Sequence, residues 1–361
     1  MEILKRIDWK ILNAYIGNKL IVANKHPEYD IWILNYSKEC QFLAAWDVYT
    51  LSCRGMVVDA DGNILARPFM KFKNYEEYQA SEIDWSIPFE TFEKMDGSLI
   101  ILFYYNYKWI VASRGSFASE QAIEGERMLN LNSYACGRLS SKNTYLFEII
   151  FPENRIVVNY GDRKELVMLG VIQTSTGVEM PYDDMRLSYF KYFTIVNKLE
   201  LKSLNELRQL IDRGEDNKEG VVIRFSNGFR MKMKFAEYCR LHAIVTNVSN
   251  LTVWRHLMAG RSFDELIDRV PDEFFNWLKK TKLILQLHFN EIERQSLKEF
   301  VRIYHVERKS NRKDFALEAL KNKKINGILF NMYTGRSYDE YIWKMVRPVF
   351  SKPFKDGFDN E

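Results

Sequence analysis

Phe92-Glu93-Lys94-Met95-Asp96-Gly97-Ser98-Leu99 sets a lysine, an aspartate and a glycine at the entrance to an apolar run. Residues 99–105 have the length and composition of a buried strand. Lys94 therefore stands at the mouth of a strand, beside a glycine that lets the backbone turn tightly. A lysine attacks an electrophile only as the neutral amine. The ordinary lysine pKa is about 10.4, so such a role needs neighbouring cations or burial. Taken alone, Lys-x-Asp-Gly also describes a surface turn.

Further chemistry-bearing residues lie downstream in order. Ser113-Arg114-Gly115-Ser116 ends the next strand, 109–113, across a hairpin connection at Asn106-Tyr107-Lys108. Leu146-Phe147-Glu148 places one acid in an otherwise apolar strand, 145–150, and 166–172 reads as another buried strand. Lys218-Glu219-Gly220-Val221-Val222-Ile223 sets an acid just before a strand. That strand, 221–226, turns through Asn227-Gly228, two residues that tolerate positive φ, into 229–234. Within the returning strand, Met231-Lys232-Met233-Lys234 alternates with period two, so the lysines share one face and the methionines the other. Two aligned ammonium groups suit a phosphate. A half-exposed strand gives the same alternation.

Residues 55–59 and 63–67 form a hairpin around Ala60-Asp61-Gly62, and Ser203-Leu204-Asn205-Glu206 opens a helix over 204–212. After about Arg240 the texture becomes helical. Ser262-Phe263-Asp264-Glu265 starts a helix with Phe263, Leu266, Ile267 and Val270 on one face. Pro271 breaks it, 274–297 reads as a long helix, and Phe315, Ala319 and Leu320 continue the pattern. The expected division is a mixed α/β domain over 1–240 and a smaller helical domain over 241–361.

The bulk composition excludes more than it selects. The net charge of +4 is too small to establish a nucleic-acid partner, although 281–324 carries eleven Lys or Arg against six Asp or Glu. No apolar run reaches the ~20 residues of a membrane helix. Met1-Glu2-Ile3-Leu4-Lys5-Arg6 does not read as a signal peptide, and Cys40, Cys53, Cys136 and Cys239 are scattered without metal-ligand spacing. A cytoplasmic setting with reduced thiols and no membrane partner is expected.

Lys94-Met95-Asp96-Gly97, Ser113-Arg114-Gly115-Ser116, Phe147-Glu148, Glu219-Gly220-Val221-Val222 and Lys232-Met233-Lys234 together resemble the five nucleotidyltransferase motifs of covalent ligases and capping enzymes. More narrowly, the chain is similar to the single-stranded RNA ligase family of T-even bacteriophages. Cys53-Arg54-Gly55, Arg67-Pro68-Phe69-Met70-Lys71-Phe72 and Pro152-Glu153-Asn154-Arg155-Ile156-Val157 carry that narrower likeness, which is strongest over 54–238. It implies an α+β fold: an adenylyltransferase domain of antiparallel sheets with flanking helices, then an all-helical domain that helps select tRNA.

The resemblance also implies roles. Lys94 attacks the α-phosphate of ATP and holds AMP, and Arg54 and Lys71 bind the β- and γ-phosphates. Lys232 and Lys234 neutralise the α-phosphate. Glu148 and Glu219 serve the ribose hydroxyls and a divalent metal, Mg²⁺ or Mn²⁺, with Glu219 the metal ligand. Val222 lies against the adenine, Tyr36 stacks on its other side, and Arg114 is close to the nucleotide. At Met95 the phage enzyme of that family has an acidic residue; the motif tolerates variation there, so the departure touches the fine nucleotide contacts and leaves the chemistry alone. The implied substrate is RNA with 5′-phosphate and 3′-hydroxyl ends, such as a nicked tRNA. The chain has no GxxxxGK[ST] phosphate loop, so a separate end-healing kinase and phosphatase is implied. In the helical domain, Lys279, Lys280, Lys282, Arg294, Lys298 and Arg302 are the candidate RNA contacts, with a wet stabilising surface as the alternative.

DNA ligases and capping enzymes share the five motifs but continue into a β-rich OB-fold, which the helical pattern after Arg240 argues against. A ligase preferring DNA strands, or a non-catalytic RNA-binding protein on the same scaffold, are the remaining alternatives.

Overall fold

The computed structural model describes residues 3–201, 203–246, 248–267, 270 and 274–351; Met1, Glu2 and Pro271 lie outside them. The chain packs into two compact units, Met1–His242 and Ala243–Glu361.

The first unit opens with helix α1 (Trp9–Gly17), whose first turn is capped by Asp8 accepting from the Lys10 and Ile11 amides. Strands β1 (Ile21–Lys25) and β2 (Ile31–Tyr36) follow, then short helices α2 (Lys38–Leu43) and α3 (Val48–Ser52). Strands β3 (Arg54–Asp59) and β4 (Ile64–Ala66) complete an antiparallel sheet of order β1-β2-β3-β4.

Strand β5 (Phe89–Lys94) lies outside that sheet, and β6 (Ser98–Tyr105) pairs with β7 (Lys108–Ser113). Asn106 and Tyr107 alone make this turn, both at positive φ (46° and 61°), and Lys108 already belongs to β7. Helices α4 (Glu120–Leu131) and α5 (Ser133–Cys136) lead to β8 (Asn143–Ile150) and β9 (Glu165–Gln173). Helix α6 (Tyr182–Tyr189) and β10 (Thr194–Ile195) close a five-stranded sheet of order β10-β9-β8-β6-β7. Its β9–β10 pair is parallel, the one departure from antiparallel pairing in the named strands.

Both faces of this central sheet are buried. Ile100 and Leu102 pack with Phe147, Ile149 and the helix residues Leu129 and Met185, whereas Leu99, Ile101 and Phe103 pack with Ile31, Ile33 and Val57 of the first sheet. Two covered faces explain why 99–103 is apolar without interruption. Each fully buried side chain of this size contributes about 1.5–3 kcal/mol relative to exposure.

The third sheet, of order β11-β5-β12-β13, recruits β5 against β11 (Lys198–Leu199), β12 (Gly220–Phe225) and β13 (Arg230–Lys234). Between β11 and β12, helix α7 (Leu204–Arg213) is capped by Ser203 and seats Leu207 and Leu210 against Val221, Ile223, Met231 and Met233. That packing takes the methionine face of β13 and leaves Lys232 and Lys234 on the other. The β12–β13 connection differs from expectation. Of its two central residues only Gly228 has positive φ (84°), and the Phe225 amide bonds back to the Phe229 carbonyl. The loop therefore has three residues with glycine in the left-handed position.

Helix α8 (Ala236–Val245) crosses the boundary between the units. The second unit continues with α9 (Asn250–Met258), α10 (Phe263–Ile267) and α11 (Phe275–Val301), which ends in a π-helical turn over Arg302–Val306. Then come α12 (Arg312–Ala319), α13 (Asn326–Thr334) and α14 (Asp339–Met345), and its described residues contain no strand. Ile303, Phe315, Ala319 and Leu329 form a core there, but Leu320 lies past the end of α12 and is exposed.

Candidate active site

Lys94 is the last residue of β5, and Ser98 is the first of β6, so Met95, Asp96 and Gly97 carry the chain from one sheet to another. The lysine thus ends a strand as well as preceding one. In the third sheet Gly220 pairs with Lys94 on one side and Lys234 on the other. Directly paired residues of an antiparallel sheet share a face, so the two lysines flank a position without a side chain. Glu219 bridges them. The Lys94 Nζ donates to Oε2 at 2.6 Å, and the Lys234 Nζ lies 3.2 Å from Oε1. Burial opposes ionisation of Glu219, yet Lys94 and Lys234 hold its carboxyl below the ordinary value.

Beyond this row, Val222 is paired with Phe92 and Lys232, which puts the half-buried Val222 side chain and the second lysine of the alternation on the same face. The next row pairs Arg224 with Glu90 and Arg230. Glu179 joins it, accepting from Arg224 and Arg230 at 2.6 Å each, while Lys198 donates to Glu90 at 2.8 Å.

Glu148 approaches from β8, where its Oε1 accepts from the Gly97 amide at 3.1 Å. Burial pushes its carboxyl up to about 7, against the pull of Lys94 and with added repulsion from Glu219. Gly97 has a steric reason to lack a side chain: a Cβ would lie 2.5 Å from the Ile149 carbonyl oxygen. Close approach of β8 requires the glycine, which does not adopt positive φ.

The upstream cations gather around Tyr36. Lys71 Nζ is 5.7 Å from the Tyr36 ring centroid and 5.5 Å from that of Trp46, and the Arg114 guanidinium is 5.5 Å from Tyr36. Arg114 Nη1 also donates to the Tyr36 hydroxyl at 3.4 Å. Arg54, the first residue of β3, packs its guanidinium beside Phe72, and among the described residues its buried Nη1 has no hydrogen-bond partner. Burial pushes the Arg54 guanidinium below its ordinary value, partly offset by Tyr36 and Glu148. Glu148 therefore feels both Lys94 and Arg54. A buried guanidinium nitrogen with no partner, next to two further cations, favours an anion.

Residues 52–238, just over half of the chain, match the family model described as RNA ligase. The chain belongs to the RNA ligase family. A protein of Autographa californica nuclear polyhedrosis virus, named as a bifunctional polynucleotide kinase/RNA ligase, is 24% identical over 70% of this chain and 39% of its own length. The RNA ligase of Rhodothermus phage RM378 is 24% identical over 39% of this chain and 41% of its own. The chain thus spans about two-fifths of these two curated relatives. An archaeal ATP-dependent RNA ligase structure, 13% identical, is matched over 76% of this chain and 75% of that one at a TM-score of 0.46.

In this RNA ligase family member the sequence motifs left Asp96 without a role of its own. The structure makes it a hub. Asp96 is buried, and its Oδ2 accepts from the Val157 and Val158 amides at 2.9 and 2.8 Å, while Tyr238 donates to Oδ1 at 2.8 Å. Its own amide donates to the Tyr160 hydroxyl at 2.8 Å. The partners lie far downstream, at separations that no local pattern pairs. The Glu90–Arg224–Glu179–Arg230 cluster was missed for the same reason. Met95, where the phage enzyme has an acidic residue, is buried in the apolar core of the central sheet.

In the helical unit the basic excess is partly neutralised. Arg294 pairs with Glu291, Arg302 with Glu299, and Lys309 and Lys321 with Glu318. Lys282 lies over the Phe263 ring at 4.0 Å.

Proposed function

We propose that the chain is an ATP-dependent RNA ligase acting through AMP bound to Lys94. The observation that carries this reading is the Lys94–Glu219–Lys234 arrangement on one sheet face, with Arg54, Lys71 and Arg114 gathered nearby. The Lys94 amine, released from Glu219 and having lost its proton, attacks the α-phosphorus of ATP; the P–N bond forms as the bond to pyrophosphate breaks. Lys232 and Lys234 balance the negative charge growing on the α-phosphate, an electrostatic contribution that dominates such transfers. Arg54 and Lys71 hold the departing phosphates. AMP then passes from Lys94 to an RNA 5′-phosphate, and attack by a 3′-hydroxyl forms the phosphodiester and releases AMP.

Glu219, buried, and Glu148, half-buried, both lie among cations and fit a divalent ion that is held mainly by phosphates and water with one or two carboxylates. When bound, Mg²⁺ or Mn²⁺ shields phosphate charge. In our reading Glu219 is its main protein ligand, Glu148 serves the ribose, Val222 the adenine face, Tyr36 its far side, and Arg114 the nucleotide edge. The first unit carries this chemistry and the helical unit selects RNA, with nicked tRNA the preferred substrate and a separate kinase/phosphatase preparing its ends. No helix among the described residues is long and apolar enough to cross a membrane.

Incubation with α-labelled ATP and Mg²⁺, without RNA, tests the first step. Label on the denatured protein that pyrophosphate releases, and that Lys94→Ala abolishes, is the expected result. Unlabelled wild-type protein would leave a non-catalytic RNA-binding role.

A further inference from the structure

The second unit holds a cavity that the adenylyltransfer reading does not use. It measures about 490 Å³, within the roughly 300–1,000 Å³ range of small-ligand clefts, and lies between α9, α10 and the start of α11. Its floor is apolar, built from Val253, Leu266 and Leu278, all buried. Its rim carries Arg255, Arg261 and Glu265, all exposed. Among the described residues neither arginine makes an ion pair or a side-chain hydrogen bond, unlike Arg294 and Arg302 on α11. Glu265 lines the same rim and pairs with neither.

This combination is chemically selective. An apolar floor accepts the flat face of a base, and two uncommitted guanidinium groups suit a phosphate, which they bind in bidentate fashion. A lone carboxylate at the rim offers an acceptor to an exocyclic amino group and disfavours a purely anionic ligand. Resting on the ligase reading above only for the choice of RNA as one source, we propose that the cavity takes a single phosphorylated nucleoside, its base on the Val253–Leu266–Leu278 floor and its phosphate between Arg255 and Arg261. Two sources present that chemistry: an unpaired nucleotide of a structured RNA, or a free mononucleotide. Of α11 the site uses only the buried Leu278, so it moves the expected RNA contact of this unit from the lysines and arginines of the long helix to Arg255 and Arg261.

The test compares three full-length proteins: wild type, the Arg255→Ala/Arg261→Ala double variant, and Ala259→Trp, which fills the mouth from an exposed rim position. Each is titrated with an RNA stem-loop carrying 2-aminopurine in its loop and, separately, with AMP. The Lys94 site is the same in all three, so differences report the cavity. An RNA source predicts that both variants bind the stem-loop about tenfold more weakly, the double variant through loss of charged hydrogen bonds and Ala259→Trp by blocking the mouth. For the double variant the salt dependence should also be shallower by about one counterion or more. A mononucleotide source predicts two AMP equivalents on wild type and one on either variant. Stem-loop and AMP binding unchanged in both variants would overturn the proposal. Lysyl-AMP labelling, run alongside, should be equal in all three; its absence from all would sink the ligase reading and leave the cavity comparison standing.

Discussion

Glu148 illustrates how one side chain is set by its surroundings. Its folded-state pKa, raised to about 7, lies above the ordinary carboxyl value, so the protonated form is the one that folding favours. The stability this contributes is complete below about pH 4.5 and is lost as pH rises through about 7. Glu148→Gln cannot titrate and keeps a similar shape. Its melting temperature should therefore rise relative to wild type between about pH 5 and 8, with a limiting gain on the order of 3 kcal/mol. A wild-type to variant difference that does not change with pH would show that Glu148 is ionised throughout. The same carboxyl touches the Gly97 amide, so its protonation state is coupled to the turn that carries Lys94.

At the scale of elements, Gly220 is where two strands come together around Lys94. Its φ is 151°, and a Cβ would lie 2.1 Å from the Met233 carbonyl oxygen. Gly220→Ala should cost roughly 1–3 kcal/mol from backbone conformation alone, seen as a lower urea midpoint. Because β13 must shift to make room, lysyl-AMP formation should fall further than stability does; full labelling in a destabilised variant would contradict the row geometry. Such elements were legible from sequence to very different degrees. The alternation on β13 declared its two faces because one is packed by α7 and the other is polar. Strand β5 did not, because Thr91 and Phe92, on opposite faces, are both buried and no clean alternation survives. Helices α1, α4 and α6 were passed over, since tyrosines, glycine and scattered polar residues blur their apolar stripes. Five motifs in order name the candidate site; what holds those motifs in place had no local signature, as Asp96 shows with partners at Val157, Val158 and Tyr238.

For the whole molecule, the division into two units separates chemistry from substrate choice in our reading. Sealing of a nicked tRNA should then weaken more steeply with salt than sealing of a short unstructured oligonucleotide, because only the former engages the helical unit as well. Rates measured from about 50 to 200 mM salt check this, and equal slopes for the two substrates would remove the tRNA-selecting role. Since Arg294, Arg302 and Lys309 are already tied to glutamates, the extra slope should be modest.

The amides of Val157 and Val158 lie in an irregular bend, where exchange with solvent deuterium is ordinarily fast. Both donate to a buried carboxylate instead of to a strand. They should exchange slowly, and only when Asp96 lets go, so their protection reports the opening of the Lys94 turn in a protein with no label attached. In Asp96→Asn the two amides should speed up together while those of β8 keep their pace. Two loop amides thereby become a clock for the segment that carries Lys94.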